Sequence, residues 1–145
     1  MSTEENKALI RRWVEEFFNQ GQMDLAEELF APDFVQRDPG TPGAYRGPEG
    51  AKQFATMYRT GFPDVWLTIE DMIAEGDQVV TRWSGRGTHT GDLPGIPATG
   101  KQTLVTGIQI DRIVNGKVVE DHVNWDTLGL LQQLGVIPTP GQAGA

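Results

Sequence analysis

Asp121 lies in the run Val118-Val119-Glu120-Asp121-His122-Val123-Asn124-Trp125-Asp126, the stretch of this chain best suited to acid/base chemistry. On a regular strand the side chains alternate, so Asp121 shares a face with Val119, Val123 and Trp125. Three apolar neighbours imply burial or a cavity wall. An ionised carboxylate without a partner is costly there, and burial raises its pKa toward the range where a general acid or base works at neutral pH. The competing reading is a structural ion pair with Arg82 or Arg112.

Two further groups are candidate helpers. Asn115-Gly116 predicts a hairpin before Asp121. A two-residue turn places Ile110 opposite Asp121, and a three-residue turn with Gly116 in a bulge places Gln109 there instead. Gln109 would then be a neutral hydrogen-bonding neighbour. His89, in Gly87-Thr88-His89-Thr90-Gly91, either anchors a loop or lines a pocket mouth. His122 should point away from Asp121, toward a surface or an interface. Asp126 reads as a helix cap and Asp64 as a turn residue. The aromatic side chains Trp13, Phe17, Phe34, Phe54, Tyr58, Trp66, Trp83 and Trp125 are each more expected in a core. Together they are what a pocket for a flat hydrophobic ligand would use, with the Tyr58 hydroxyl available to orient a carbonyl.

These residues need elements to hold them. Ser2 and Glu5 resemble a capping box, and Ile10, Trp13, Val14 and Phe17 follow at helical spacing, which predicts a helix from about Thr3 to Gln20 stopped by Gly21. A short helix over Met23–Phe30 should end at Pro32, with a short strand over Asp33–Arg37. The segment DPGTPGAYRGP predicts a loop. A third helix should begin near Pro48, with Phe54, Met57, Tyr58 and Gly61 on one stripe. Val65–Ala74, Gln78–Thr88, Gln102–Val114 and Lys117–Trp125 read as antiparallel strands. A last helix follows Asp126, with Leu128, Leu131 and Leu134 expected inward.

Helices followed by four long strands predict an α+β architecture in one domain over residues 1–138, with a C-terminal tail at 139–145 that is loose or packs on a partner subunit. A sheet curled around the first helices would enclose a small-molecule pocket. The net charge of -8 argues against nucleic acid or an anionic membrane as partner. No cysteine is present, which removes disulfides and thiolate chemistry, and two histidines without HExxH-type spacing predict no metal site. No signal peptide or bilayer-spanning segment is evident, so a cytoplasmic protein is expected.

The segments FPDVWLTIEDMIAEGDQVVTRWSGRGTHTG (62–91), GIPATGK (95–101), IQIDRIVNGKVVED (108–121) and WDTLGLLQQLGVIP (125–138) resemble the SnoaL-like polyketide cyclases, or ester cyclases, of the NTF2-like superfamily. The resemblance covers nearly the whole chain, and the motifs GDxVxxRW, GTHxG, PxTGK, DRIxxGK and DxLGLLxQLG occur in family order. It implies an NTF2-like cone, with a curved antiparallel sheet wrapped around N-terminal helices and enclosing a pocket. It implies a homodimer or homotetramer, and a cofactor- and metal-free intramolecular aldol condensation of a hydrophobic, carbonyl-rich small molecule. The family's acid/base aspartate carries over to Asp121. The chain departs from the pattern at Gln36 and Arg37, where members often have His or Asn, and at His122, where many have Trp. Two other activities fit such a cone. One is a non-catalytic small-molecule-binding or assembly module. The other is an epoxide hydrolase, whose Asp-Arg-Asp set would have to come from Arg82, Arg112, Asp38 and Asp121.

Overall fold

The computed structural model describes residues 2–141, so part of the expected tail, residues 142–145, lies outside the described residues. The capping box forms: Glu5 N donates to Ser2 Oγ at 3.1 Å, and Ser2 N donates to Glu5 Oε1 at 3.0 Å. Helix α1 spans Thr3–Arg12 and continues as a π-helical stretch over Trp13–Asn19, before Gly21 turns the chain at φ 70°. The expected single α-helix to Gln20 therefore changes pitch midway. Its wider turn buries Trp13, Val14, Phe17 and Phe18 together.

A 3₁₀ turn at Met23–Leu25 leads into α2, Ala26–Leu29, and Phe30 already belongs to strand β1, Phe30–Arg37. Pro32 therefore sits inside a strand and does not end the helix. The pairing of β1 with its neighbour is interrupted between Phe30 and Val35, a gap that suits a residue without an N–H. The expected loop contains a short strand β2, Tyr45–Arg46, paired with β1. Helix α3, Gly47–Gly61, carries Pro48 in its first turn as expected.

Strands β3 (Trp66–Glu75), β4 (Gln78–Thr88), β5 (Gln102–Val114) and β6 (Lys117–Trp125) form the antiparallel meander. β1 joins it in parallel beside β6, which gives the order β2-β1-β6-β5-β4-β3. Helix α4, Thr127–Gln133, starts at Asp126, whose side chain accepts from Gly129 N at 2.9 Å. Leu130 and Leu134, four residues apart, face inward. Leu128, expected inward, is 56% exposed, because the cap sets a different phase for the helix.

The expected α+β cone is what forms. One apolar cluster, including Ile10, Phe17, Leu29, Phe30, Phe34 and Val118, fills the end where α1 and α2 meet the sheet. A second, of Phe62, Leu93, Leu130 and Leu134, closes the region near α4. Among the described residues no helix is long and apolar enough to cross a membrane.

The hairpin between β5 and β6 decides where the acid/base candidate points. Asn115 (φ 52°) and Gly116 (φ 76°) make the two-residue turn, and Ile113 pairs with Val118 as that turn requires. The register then shifts: Arg112 pairs with Glu120, which leaves Val119 as an extra, unpaired residue on β6. Asp121 therefore stands opposite Asp111, not Ile110 or Gln109 as either simple turn would have it. Without this bulge Asp121 would share the outer face with Ile110. With it, Val118 and Asp121 both turn inward, and Val119 leaves the inner face.

Candidate active site

Between the inner face of the sheet, the π-helical extension of α1 and α3 lies a cavity with an open mouth. Its wall is mostly apolar and aromatic. Of the aromatic candidates, Trp13, Phe17, Phe54, Tyr58, Trp83 and Trp125 line it. Trp66 and Phe34 do not. Trp66 pairs with Arg86 on the outer face and is 43% exposed, because the inward phase of β3 falls on Leu67 and Ile69. Phe34 is fully buried against Phe30, with ring centroids 4.7 Å apart, and belongs to the core. Gly107 is needed where Trp83 lies across the sheet. A Cβ at Gly107 would stand 2.3 Å from Trp83 Cζ2.

Gln36, Gln109 and Val123 form part of the cavity wall, whereas Asp121 and Asp111 do not line it. Behind the two amides sit Asp121 and Asp111, both without solvent exposure. Gln36 Nε2 donates to Asp121 Oδ2 at 3.0 Å, and Gln109 Nε2 donates to Asp111 Oδ2 at 2.9 Å. Burial is the first cause that pushes the Asp121 carboxyl well above the usual range. The facing Asp111 adds to it by repulsion and by accepting a hydrogen bond, and Asp38 adds further repulsion. Asp111 is likewise pushed up by burial, to about 7, against the hydrogen bonds it receives from Asp121 and Gln109. A buried acid without a cation keeps its proton.

The ion-pair reading of Asp121 is overturned. Arg82 binds Asp71 at 2.7 Å and Arg112 binds Glu120 at 3.1 Å, both on the outer face. The same placement removes the Asp-Arg-Asp set of an epoxide hydrolase. His122, as expected, is exposed and hydrogen-bonded to Glu120 on that outer face. Gln109 pairs with Val123, not Asp121, so as a helper it reaches Asp121 only through Asp111.

His89 is fully buried but does not line the cavity. Its Nδ1 accepts from Thr99 N at 3.2 Å and lies 3.0 Å from Thr99 Oγ1, which ties the neck of the loop 89–101. That is the loop-anchoring role, not a place at the mouth.

Asp38 is a carboxylate on the cavity wall, and its oxygens are occupied. Gly40 N donates at 2.9 Å, Thr41 Oγ1 at 2.5 Å and Trp125 Nε1 at 3.0 Å. Since the single Thr41 proton goes to Asp38, Thr41 Oγ1 accepts from Tyr58 Oη at 2.7 Å. Tyr58 therefore turns its proton away from any ligand and offers lone pairs, the opposite of the carbonyl-orienting donor expected from the sequence. Burial raises the Tyr58 phenol above its ordinary value, so it stays protonated.

The SnoaL-like polyketide cyclase model matches residues 8–134, nearly all of the chain. The chain belongs to the SnoaL-like polyketide cyclase family. It is 35% identical to the aklanonic acid methyl ester cyclase DnrD of Streptomyces peucetius over 140 residues, covering 91% of this chain and 92% of that one. It is 33% identical to the nogalonic acid methyl ester cyclase of Streptomyces nogalater, covering 88% and 95%. Among solved structures, TsrD from Streptomyces laurentii aligns with a TM-score of 0.83 at 28% identity, covering 94% and 99%. IdmH from Streptomyces antibioticus aligns with a TM-score of 0.77 at 34% identity, covering 90% and 98%. The fold is thus the family's NTF2-like cone.

Within this SnoaL-like chain, the departures noted in the sequence fall on opposite sides of the sheet. Gln36 is the amide on Asp121, whereas Arg37 and His122 face outward with Glu120. Asp111 escaped sequence reasoning altogether. Its signal was the spacing Gln109-x-Asp111, polar residues alternating with Ile108 and Ile110, which a hydrophobic-in pattern assigns to the solvent side.

Proposed function

We propose that the protein is a cofactor-independent polyketide cyclase that closes a ring by intramolecular aldol condensation, with Asp121 as general acid/base. The observation that carries this is the fully buried Asp121 carboxyl of raised pKa, held directly behind the Gln36 amide of an aromatic-lined cavity, with no cation to fix it as a salt bridge. The substrate would be a carbonyl-rich polyketide methyl ester, since DnrD and the nogalonic relative are named for aklanonic and nogalonic acid methyl esters. A C–H between two carbonyls is acidic enough for a carboxylate of raised pKa to remove its proton. The enolate carbon then attacks a carbonyl held within reach by the cavity walls, and the resulting alkoxide takes a proton back from Asp121. The reacting C–H would sit where the Gln36 amide now covers Asp121 Oδ2, so substrate entry displaces that amide.

We further propose a cytoplasmic homo-oligomer. In support, Leu104, Ile108, Ile110 and Val114 leave an apolar row on the outer face of β5.

The test is turnover of aklanonic and nogalonic acid methyl esters by the wild type and by Asp121→Asn. The variant should keep the fold and lose kcat/KM by about 10²–10⁴-fold, the usual worth of a positioned acid/base. Unchanged turnover would remove Asp121 from the role. Tight binding of both esters with no product from the wild type would favour the binding-module reading instead.

A further inference from the structure

We propose that Asp111 and Asp121 hold a single proton between them and work as one acid/base unit, with Asp111 the positioning residue that stores the proton while Asp121 acts as base. The geometry comes from the β6 bulge. Val119 is looped out, so the two carboxyls become direct cross-strand partners on the inner face, both fully buried. Each has one oxygen, Oδ2, held by a glutamine amide. The other oxygen, Oδ1, is buried without a hydrogen-bond partner in either residue, although the two carboxyls are direct cross-strand neighbours. Two orphaned acceptors side by side call for a donor between them, and two buried negative charges with no cation would be far more costly than one. One shared proton answers both.

The surroundings leave the pair to itself. The inner positions beside it bring Gln36 from β1, Gln109 from β5 and the Thr81 hydroxyl from β4, none of them charged. Asp38, after β1, is the titratable group that acts on the pair, and it is negative. The basic side chains Arg37, Arg82 and Arg112, together with His122, lie on the outer face, bound to Glu120 or Asp71.

The bookkeeping of the reaction closes on this arrangement. Before reaction the pair carries one proton and one negative charge. Asp121, the more strongly raised of the two, holds that proton at rest and passes it to Asp111 as substrate enters, which bares the Asp121 carboxylate as base. The C–H bond breaks, its proton goes to Asp121, and its electron pair forms the enolate, so the pair is now neutral and the substrate negative. The new C–C bond turns the acceptor carbonyl into an alkoxide. Asp121 returns a proton to that oxygen, and the pair regains its single proton and charge. A lone buried aspartate of high pKa would be protonated at rest and poorly fitted to start as base. The partner solves that by accepting the proton.

This inference deepens the cyclase reading and rests on it for its kinetic arm alone. The spectroscopic arm needs no substrate. In ligand-free protein labelled with ¹³C at aspartate Cγ, infrared or carbon NMR titration should show one protonated carboxyl persisting at about pH 7. In Asp111→Asn the amide donates to Asp121, and the midpoint should move down by one pH unit or more. The acid limb of kcat/KM for cyclisation should move with it. A wild type with no protonated aspartate at about pH 7, or an unmoved midpoint in the variant, would overturn the shared proton. A rate loss equal at every pH, with an unmoved limb, would overturn the positioning role as well, leaving Asp111 merely structural. If no polyketide ester is turned over while the titration behaves as expected, the cyclase reading fails and the shared proton stands.

Discussion

At the scale of single residues, the polar groups on the cavity wall are set in direction by what they already bind. Asp38 can only accept, so Thr41 must donate to it, and Tyr58 must donate to Thr41. Tyr58 Oη is left as an acceptor toward the cavity and should recognise a hydroxyl on the ligand. Tyr58→Phe should therefore weaken binding of a hydroxylated anthraquinone-type ligand by about 5–10-fold, near the net worth of one hydrogen bond, and leave the deoxy analogue unaffected. Quenching of the tryptophan emission by each ligand measures this. Equal losses for both would mean that the ring packs but the hydroxyl does not read the ligand. Asp121 was visible in the sequence because three apolar residues alternate around it, but the chain of donors from Tyr58 to Asp38 was not. It joins residues 17 and 20 positions apart across a loop whose path the sequence does not fix.

At the scale of elements, β4, β5 and β6 have the bounds their composition predicts, and the capping box and the Asp126 cap form as read. Failure came where the local pattern and the tertiary phase disagree. β5 turns Leu104, Ile108 and Ile110 outward and Gln109 and Asp111 inward, because its inner face builds a cavity and an acid pair and not a packed core. Hydrophobic alternation alone assigns those faces the other way round. The Val119 bulge is equally silent in sequence, since no glycine or proline marks it, and it alone decides that Asp121 faces in. Gly107, by contrast, has a plain steric reason. Gly107→Ala would set a methyl 2.3 Å from Trp83 Cζ2, so the indole must leave its place across the sheet. We expect a loss of about 1–3 kcal/mol, typical of overpacking, with altered tryptophan emission. Denaturant unfolding at unchanged slope would show it, and an unaltered midpoint would mean that Trp83 relaxes freely.

At the scale of the whole molecule, a buried acid pair makes stability depend on pH in the direction opposite to most carboxylates. Glu5, Asp64 and Glu120 sit below the usual range, held chiefly by hydrogen bonds from Ser2, Thr88 and His122, so their contribution is present at neutral pH and lost as pH falls. Asp111 and Asp121 are raised. Between about pH 4, where aspartates of the unfolded chain ionise, and about 7, to which Asp111 is pushed, the folded state binds more protons than the unfolded one. The pair's contribution is therefore complete below that window and is lost as pH rises through it. Each proton involved is worth about 1.4 kcal/mol per pH unit. The chain's net charge of -8 adds a general repulsion at high pH, but a single substitution barely changes it. Comparison with Asp111→Asn cancels that background and the surface carboxylates alike. Calorimetry at about pH 5 and pH 7 should find the wild type losing about 1–2 kcal/mol more than the variant, or roughly 3–6 °C in Tm at this chain length. Parallel melting curves for the two proteins would mean that the carboxyls ionise in the folded state as readily as in the unfolded chain. The cavity would then have lost the proton on which its chemistry depends.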